Sequence, residues 1–362
     1  MPTQRSKIGL VPGTPCGLLS PLVNRAWAVT LLVVLPAATA AVGAACGAEP
    51  LPPEARRPAD EEELRYWLAN MHVYHRFSPE EIQAATGLSG EEIRAALERF
   101  GFSADDRPPR KSGDPLVVLP YPGGRHPRLG FLDGAVRPQR ETKISVFTPW
   151  DPASYVVVDV PEAIWSNLGL TYLAHTHVPT IWTERGIEME KLEWRRGKEG
   201  VLTSSRRLLN GIRFEVTVTP EPERVRMAIT LTNGTAEPLS GLRMQMCVML
   251  GHAGGFKAQS SENKVYRHPY VACRSEDGRR WVITAWNPCF RTWANPECPC
   301  MHSDPGLPDC PPAAAVEATG YLWFYEGDDL DAELDHLAGQ TGWAMDPEHP
   351  GPGPRRNPPQ RR

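Results

Sequence analysis

Two histidines one residue apart, His175 and His177, close an apolar run that begins at Gly169. Residues two apart on a strand face the same side. Both imidazoles can therefore reach one metal ion or one substrate, and Glu184, Glu188 or Glu190 can add a carboxylate. A third histidine, His252, stands in Leu250-Gly251-His252-Ala253-Gly254-Gly255-Phe256, a glycine-rich loop after an apolar strand. A loop held by a rigid strand suits a general acid or base. His175, His177 and His252 are the catalytic candidates. The competing reading is structural: one histidine packed, one hydrogen-bonded at a strand end, one on the surface.

The richest polar stretch runs from Tyr121 to Trp150. It holds Gly123-Gly124-Arg125-His126-Pro127-Arg128, then Arg137-Pro138-Gln139-Arg140-Glu141-Thr142-Lys143. Glycines and arginines around a histidine suit an anion or sugar pocket, although a solvated loop of salt-bridged arginines has the same composition. The spacing is neither Walker nor Rossmann, so nucleotide binding has no support. His126, Arg128, Arg140 and Lys143 are the candidates for orienting a substrate. Aromatic faces offer large flat contact areas. Trp150, Trp182, Trp286 and Trp293 flank proline, asparagine or charged residues and read as surface stacking candidates, while Trp281 and Trp323 lie in apolar strands and read as core. No Ser-His-Asp or Cys-His signature is recognisable.

The compartment follows from the first fifty residues. Arg25 precedes an uncharged, mostly apolar run, Ala26–Ala48, that ends in small residues, the layout of a secretory signal peptide. The expectation is a periplasmic or extracellular protein, with a membrane association only if this segment stays uncleaved or Cys46 is lipidated. Six cysteines follow: Cys247, Cys273, Cys289, Cys298, Cys300 and Cys310. An even number in an exported chain reads as disulfides, so Cys273, Cys289, Cys298, Cys300 and Cys310 are assigned to bridges and Cys247 is read as a buried thiol. The rival is a metal site around Cys298-Pro299-Cys300-Met301-His302, with Asp304, Asp309 and Cys310 nearby. That spacing is not a zinc-finger spacing. No metal and no cofactor is assigned.

These residues need elements to position them. After the signal segment (1–48) and a proline-rich linker (49–58), residues 59–104 read as three helices. Leu64, Trp67, Leu68, Met71 and His75 form an amphipathic stripe. Ser78-Pro79-Glu80-Glu81 and Ser89-Gly90-Glu91-Glu92 are two capping boxes. The stretch from Glu81 to Leu97 resembles a bacterial helix-turn-helix. Between Asp60 and Asp106, however, eleven acidic residues oppose four arginines. DNA affinity rests on neutralising phosphates, so nucleic acid is excluded and a protein partner remains for this segment. A second linker (105–114) leads to residues 115–345, where the period is two. Phe214, Val216 and Val218 alternate with polar residues, as do Val225, Met227, Ile229 and Leu231 after the turn at Pro220–Glu223. Further strands are expected at Leu116–Leu119, Lys143–Phe147, Tyr155–Val160, Gly169–His175, Leu242–Leu250, Arg280–Trp286 and Gly320–Tyr325. The fold class is mainly β, an antiparallel β-sandwich behind a small helical domain, with a cysteine-rich loop at 289–310 and a disordered tail at 346–362. The net charge of −4 and the hydrophobic content of 41% fit an ordinary core and argue against a polyanion binder.

Two resemblances attach to these residues. Gly124–Trp165 and Trp281–Cys310 look like segments of a group of exported bacterial proteins with no assigned activity. Ile212–Phe256 is similar to part of the galactose mutarotase-like supersandwich. There a strand pair leads to a Thr-Asn turn, here Thr232-Asn233, then a strand and a loop bearing a histidine before an aromatic, here His252 and Phe256. The resemblance implies that His252 is an acid catalyst at a sugar ring oxygen. Ala253-Gly254 departs from the expected Pro-aromatic pair, and no partner Glu is placed. The expectation is an exported protein that binds or modifies a carbohydrate. The alternatives are a non-catalytic envelope protein with a stapled loop and a metal-dependent enzyme built on His175 and His177.

Overall fold

The computed structural model describes residues 55–127, 140–175 and 178–346. The segment expected to be a signal peptide, Arg128, His177 and the tail beyond 346 lie outside the described residues. The described chain is mainly β, with two antiparallel sheets and few helices. No helix among the described residues is long and apolar enough to cross a membrane.

Both capping boxes form and start helices where expected. The first helix, α1 (Glu61–Leu68), begins on Asp60 and runs into a π-helical turn at Ala69–Tyr74. Ser78 caps α2 (Pro79–Thr86) and Ser89 caps α3 (Gly90–Phe100), each with its reciprocal glutamate bond. Trp67, Leu68, Met71, Phe77, Ile82 and Ile93 bury a common apolar face. The helices belong to one compact unit with the sheets.

Strands β1 (Val118–Pro120), β2 (Lys143–Phe147), β3 (Tyr155–Ser166) and β4 (Gly169–Leu173) open the β region. Next come β5 (Arg195–Arg196), β6 (Leu202–Arg207), β7 (Arg213–Pro220), β8 (Arg224–Thr232) and β9 (Arg243–Met249). The chain continues through β10 (Lys264–Arg267), β11 (Tyr270–Arg274), β12 (Arg280–Asn287), β13 (Cys289–Trp293), β14 (Cys300–Pro305) and β15 (Ala315–Glu326), then ends in α4 (Leu330–Thr341). One sheet has the order β1-β2-β3-β9-β14-β13, with β4 on β3. The other runs β10-β11-β12-β15-β8-β7-β6-β5.

Period-two alternation explains the shared core. Ile144, Val146, Val156 and Val158 of the first sheet meet Phe214, Val216, Val218 and Ile229 of the second in one apolar layer. Trp286 joins this layer and is fully buried, contrary to its reading as a surface residue. It lies across from Gly320 of β15, where any Cβ would stand 2.2 Å from the indole ring. Trp182 is also buried, its indole N–H donating to the Thr171 carbonyl at 2.8 Å. Trp281 and Trp323 are core as expected, under α4.

The segment expected as a disulfide-stapled loop is instead a hairpin, because β14 finds a partner in β9 as well as in β13. All six described cysteines are free in the structure, so none of the bridges expected at Cys273, Cys289, Cys298, Cys300 and Cys310 is shown. Backbone pairing, not covalent closure, holds this region. Cys273 faces the shared core from the second sheet, while Cys298 and Cys300 lie on the opposite face of the first.

That opposite face of the first sheet is covered, not solvated. Asn70 of the π-helical turn donates to the Pro120 carbonyl at 3.0 Å, and His75 meets the Ser145 hydroxyl at 2.7 Å. Arg125 grips Glu81 of α2 at 2.7 Å. The Gly123-Gly124 turn permits this approach: Gly124 has φ 78°, and a Cβ there would stand 2.2 Å from the Glu81 carbonyl. Beneath the cover, Lys143 and Asp159 form an ion pair at 2.9 Å with both side chains at 0% exposure. Removing one partner of such a pair leaves an uncompensated buried charge, at a cost of about 3–5 kcal/mol. Lys143→Met and Asp159→Leu are each expected to lose about that much in urea unfolding, and the double variant to recover most of it. Additive losses in the double variant would show that the two side chains do not act as a pair.

Candidate functional site

The covered face gathers the chemistry. In β14, Met301 enters the shared core, so Cys300, His302 and Asp304 point the other way. In β9, Met246 and Val248 are core, and Cys247 and Gln245 point outward with them. Strand register then sets one row across five strands. Lys143 pairs with Asp159, Asp159 with Cys247, Cys247 with His302, and His302 with Trp293.

Around β9 and β14, within the row, lie three thiols and an imidazole. Cys300 hydrogen-bonds Cys247 and Cys298, and these contacts, with His302, outweigh burial and hold its thiol well below the usual range. Its Sγ stands 3.5 Å from His302 Nε2. Burial alone would lower His302, but the hydrogen bond and charge of Cys300 more than offset it and raise it. His302 Nδ1 faces the carboxylates of Glu162 and Asp304 at 3.8 and 3.9 Å. The Trp293 ring stacks on the imidazole at 4.0 Å, 13° from parallel. The other thiols differ: burial pushes Cys273 up to about 11 and Cys289 up to about 12.

A second group stands beside the first. The β3–β9 register shifts between Asp159 and Ala163, and this irregularity carries Glu162. One carboxylate oxygen meets His175 Nε2, and the other accepts from the Gln245 amide at 2.7 Å. Glu162 and His175 are both buried. His175 also borders a cavity of about 330 Å3 with Thr171, Tyr172, Thr180, Trp182 and Thr183.

The remaining sequence candidates lie elsewhere. His252 donates from Nε2 to the His126 carbonyl at 2.8 Å and stacks on Tyr155, whose ring also meets His75. Burial lowers His252 to about 4 and His75 to about 3, with Arg125 adding to both. Arg140 is buried over Trp67 at 4.1 Å and paired with Glu193 at 2.8 Å. Lys143 is committed to Asp159 and to the Ala174 carbonyl at 3.1 Å. Trp150 stacks on Phe256. The structure thus brings His175 to Glu162 and His252 to His126, in separate settings. Asp159, Glu162, Gln245 and His75 were not among the candidates, whereas His302 stood in the rival metal reading. The signal for Asp159 and Glu162 was present as two acids inside the apolar run Tyr155–Trp165.

No protein-family model and no curated protein matches the chain. Among solved structures, the chain is similar to a protein from the human microbiome titled as a kojibiose phosphorylase, at 8% identity and TM-score 0.29, over 39% of this chain and 20% of that one. It is similar to a polysaccharide lyase at 11% identity and TM-score 0.28, over 39% of this chain and 24% of that one. A protein from Klebsiella pneumoniae titled as an aldose 1-epimerase matches at 8% identity and TM-score 0.26, over 55% of this chain and 58% of that one. The chain spans about a fifth to a quarter of the length of the first two. Carbohydrate-active enzymes thus stand among its weak structural neighbours, and no site residue is carried over from them.

His75 and His252 give the covered face a pH signature. Both are neutral in the folded chain, with values of about 3 and about 4 against the ordinary 6.5. The unfolded chain therefore binds more protons below pH 6.5, and stability falls as pH drops from there toward the folded values. Urea midpoints are expected to decline over that window, each histidine adding up to about 1.4 kcal/mol per pH unit. His75→Gln should flatten the slope. An unchanged slope in that variant would mean that His75 is protonated in the folded state.

Proposed function

We propose that the protein is a sandwich-type carbohydrate-handling protein in which His175, oriented by Glu162, exchanges a proton with a bound sugar. The observation that carries this reading is the buried Glu162–His175 pair at the border of the cavity. A carboxylate that accepts from Nε2–H selects the tautomer in which Nδ1 carries no proton. His175 can then take a proton at Nδ1 and return it, with Glu162 stabilising the imidazolium in between. Gln245, bonded to the second carboxylate oxygen, keeps Glu162 aimed at the ring.

The cavity fits a small polar ligand with apolar faces. Thr171, Thr180 and Thr183 bring hydroxyl groups, while Tyr172, Trp182 and Met189 bring rings and a flexible thioether. Its volume is at the small end of ligand sites, roughly 300–1,000 Å3. A hydroxyl-lined pocket with aromatic walls matches the two chemistries of a sugar ring, C–H faces and ring-edge hydroxyls.

The test is ligand-observed NMR of the full chain against a panel of neutral, amino and acidic sugars, followed by polarimetric mutarotation and lyase assays on each ligand found. At least one sugar is expected to bind. Glu162→Gln and His175→Gln are expected to keep binding within about threefold while losing at least about 100-fold in turnover, the usual scale of general acid–base catalysis. Failure of every sugar to bind the folded wild-type chain would overturn the reading.

A further inference from the structure

We propose that Cys247, Cys298, Cys300 and His302 form a binding site for a tetrahedral thiophilic cation, with zinc(II) as its representative occupant. The proposal does not rest on the sugar reading. Its basis is convergence of donors. The ligating atoms of Cys247, Cys300 and His302 all lie within 4.8 Å of one another, and all three residues are buried. Sulfur and nitrogen on one tetrahedral zinc, at bond lengths of about 2.3 and 2.0–2.1 Å, stand about 3.6 Å apart. Cys300 Sγ and His302 Nε2 stand 3.5 Å apart.

The fourth donor comes from the adjacent turn, beside Cys300 and outside the cluster of three. In Cys298-Pro299-Cys300 the backbone folds so that the Cys300 amide donates to the Cys298 carbonyl at 2.7 Å. This turn keeps the Cys298 thiol, which is fully buried, in hydrogen-bond contact with Cys300. Cys247 arrives from the neighbouring strand, fixed opposite His302 by register. Strands β9 and β14 thus bring three donors together, and the turn before β14 sets a further thiol beside Cys300.

The surroundings are those of a metal ligand. A ligating histidine almost always presents its second ring nitrogen to a carboxylate or carbonyl, which fixes ring orientation and tautomer. His302 Nδ1 faces Glu162 and Asp304. The Glu162 carboxylate is held by Gln245, and Asp304 is held by the Met246 amide at 3.0 Å and by Arg291 at 2.7 Å. Trp293 covers the imidazole face. Soft sulfur donors select thiophilic ions over calcium or magnesium, which want oxygen. Loading is a proton–metal exchange: the thiols release their protons to solvent as metal–sulfur bonds form, and no oxidation occurs. Four protein ligands leave no open position, so the ion is a structural one that ties β14 to β9.

The test is titration of the full chain, purified reduced and metal-free, with cobalt(II) and then zinc(II). One equivalent of cobalt is expected to give tetrahedral d–d bands and a thiolate-to-cobalt charge-transfer band whose intensity fits three sulfurs, and zinc should displace both. Cys247→Ser and Cys300→Ser should weaken binding by at least about 100-fold, beyond what loss of an outer partner costs. Cys273→Ser, on the other sheet, should bind as wild type. The wild-type spectrum decides the matter even if the ligand variants fail to fold. No uptake of cobalt or zinc, an octahedral spectrum without sulfur charge transfer, or unchanged binding in folded Cys300→Ser would each overturn the site.

Discussion

The molecule is organised around one electrostatic constraint: a row of ionisable side chains lies on the wrong side of a sheet for an apolar core and yet out of reach of water. Lys143, Asp159, Cys247 and His302 occupy adjacent register positions across four strands. Ions removed from water cost several kcal/mol each unless paired and hydrogen-bonded. The structure meets that demand twice over. Each group has a neighbour of opposite character on its own sheet, and the whole face is roofed. The roof is made of the helical segment, the Gly123-Gly124 turn and the turn before β14.

The roof explains features that have no reason of their own. Two acidic residues of the helical segment meet arginines of the β region, Glu63 with Arg196 and Glu81 with Arg125, and a third, Glu92, meets Arg57 on the approach to α1. Part of the acidity read against duplex recognition is thus engaged by arginines of the same chain. His75, which on sequence grounds extends a helical stripe, leaves the helix in a π-helical turn and becomes a bridge to Ser145. Its neutrality follows from the same exclusion of water that dries the row below it.

Much of this architecture was legible in the sequence, because its signals are local. Alternation of Phe214, Val216 and Val218 against polar residues specifies a strand with one buried face, and two Ser-x-x-Glu boxes specify two helix starts. What escaped is nonlocal. In β3 both faces are buried, so alternation vanishes and Asp159 and Glu162 look like accidents in an apolar run. Cys247 read as a solitary thiol because its companions come from β14, more than fifty positions later, and spacing rules see only one segment. Trp182 and Trp286 have polar sequence neighbours, but strand pairing turned Trp286 inward and a hydrogen bond to the Thr171 carbonyl holds the Trp182 indole in the core. The hairpin at 289–305 looked too poor in apolar residues to hold itself, and it is paired along β9.

The contact between Trp286 and Gly320 has an evolutionary corollary. The indole occupies the volume where a side chain of β15 would stand. Neither position can drift alone: a methyl group at 320 is tolerated only beside a smaller ring or an aliphatic chain at 286. In any set of sequences sharing this arrangement the two columns should vary as a reciprocal pair, bulk on one strand exchanged for bulk on the other.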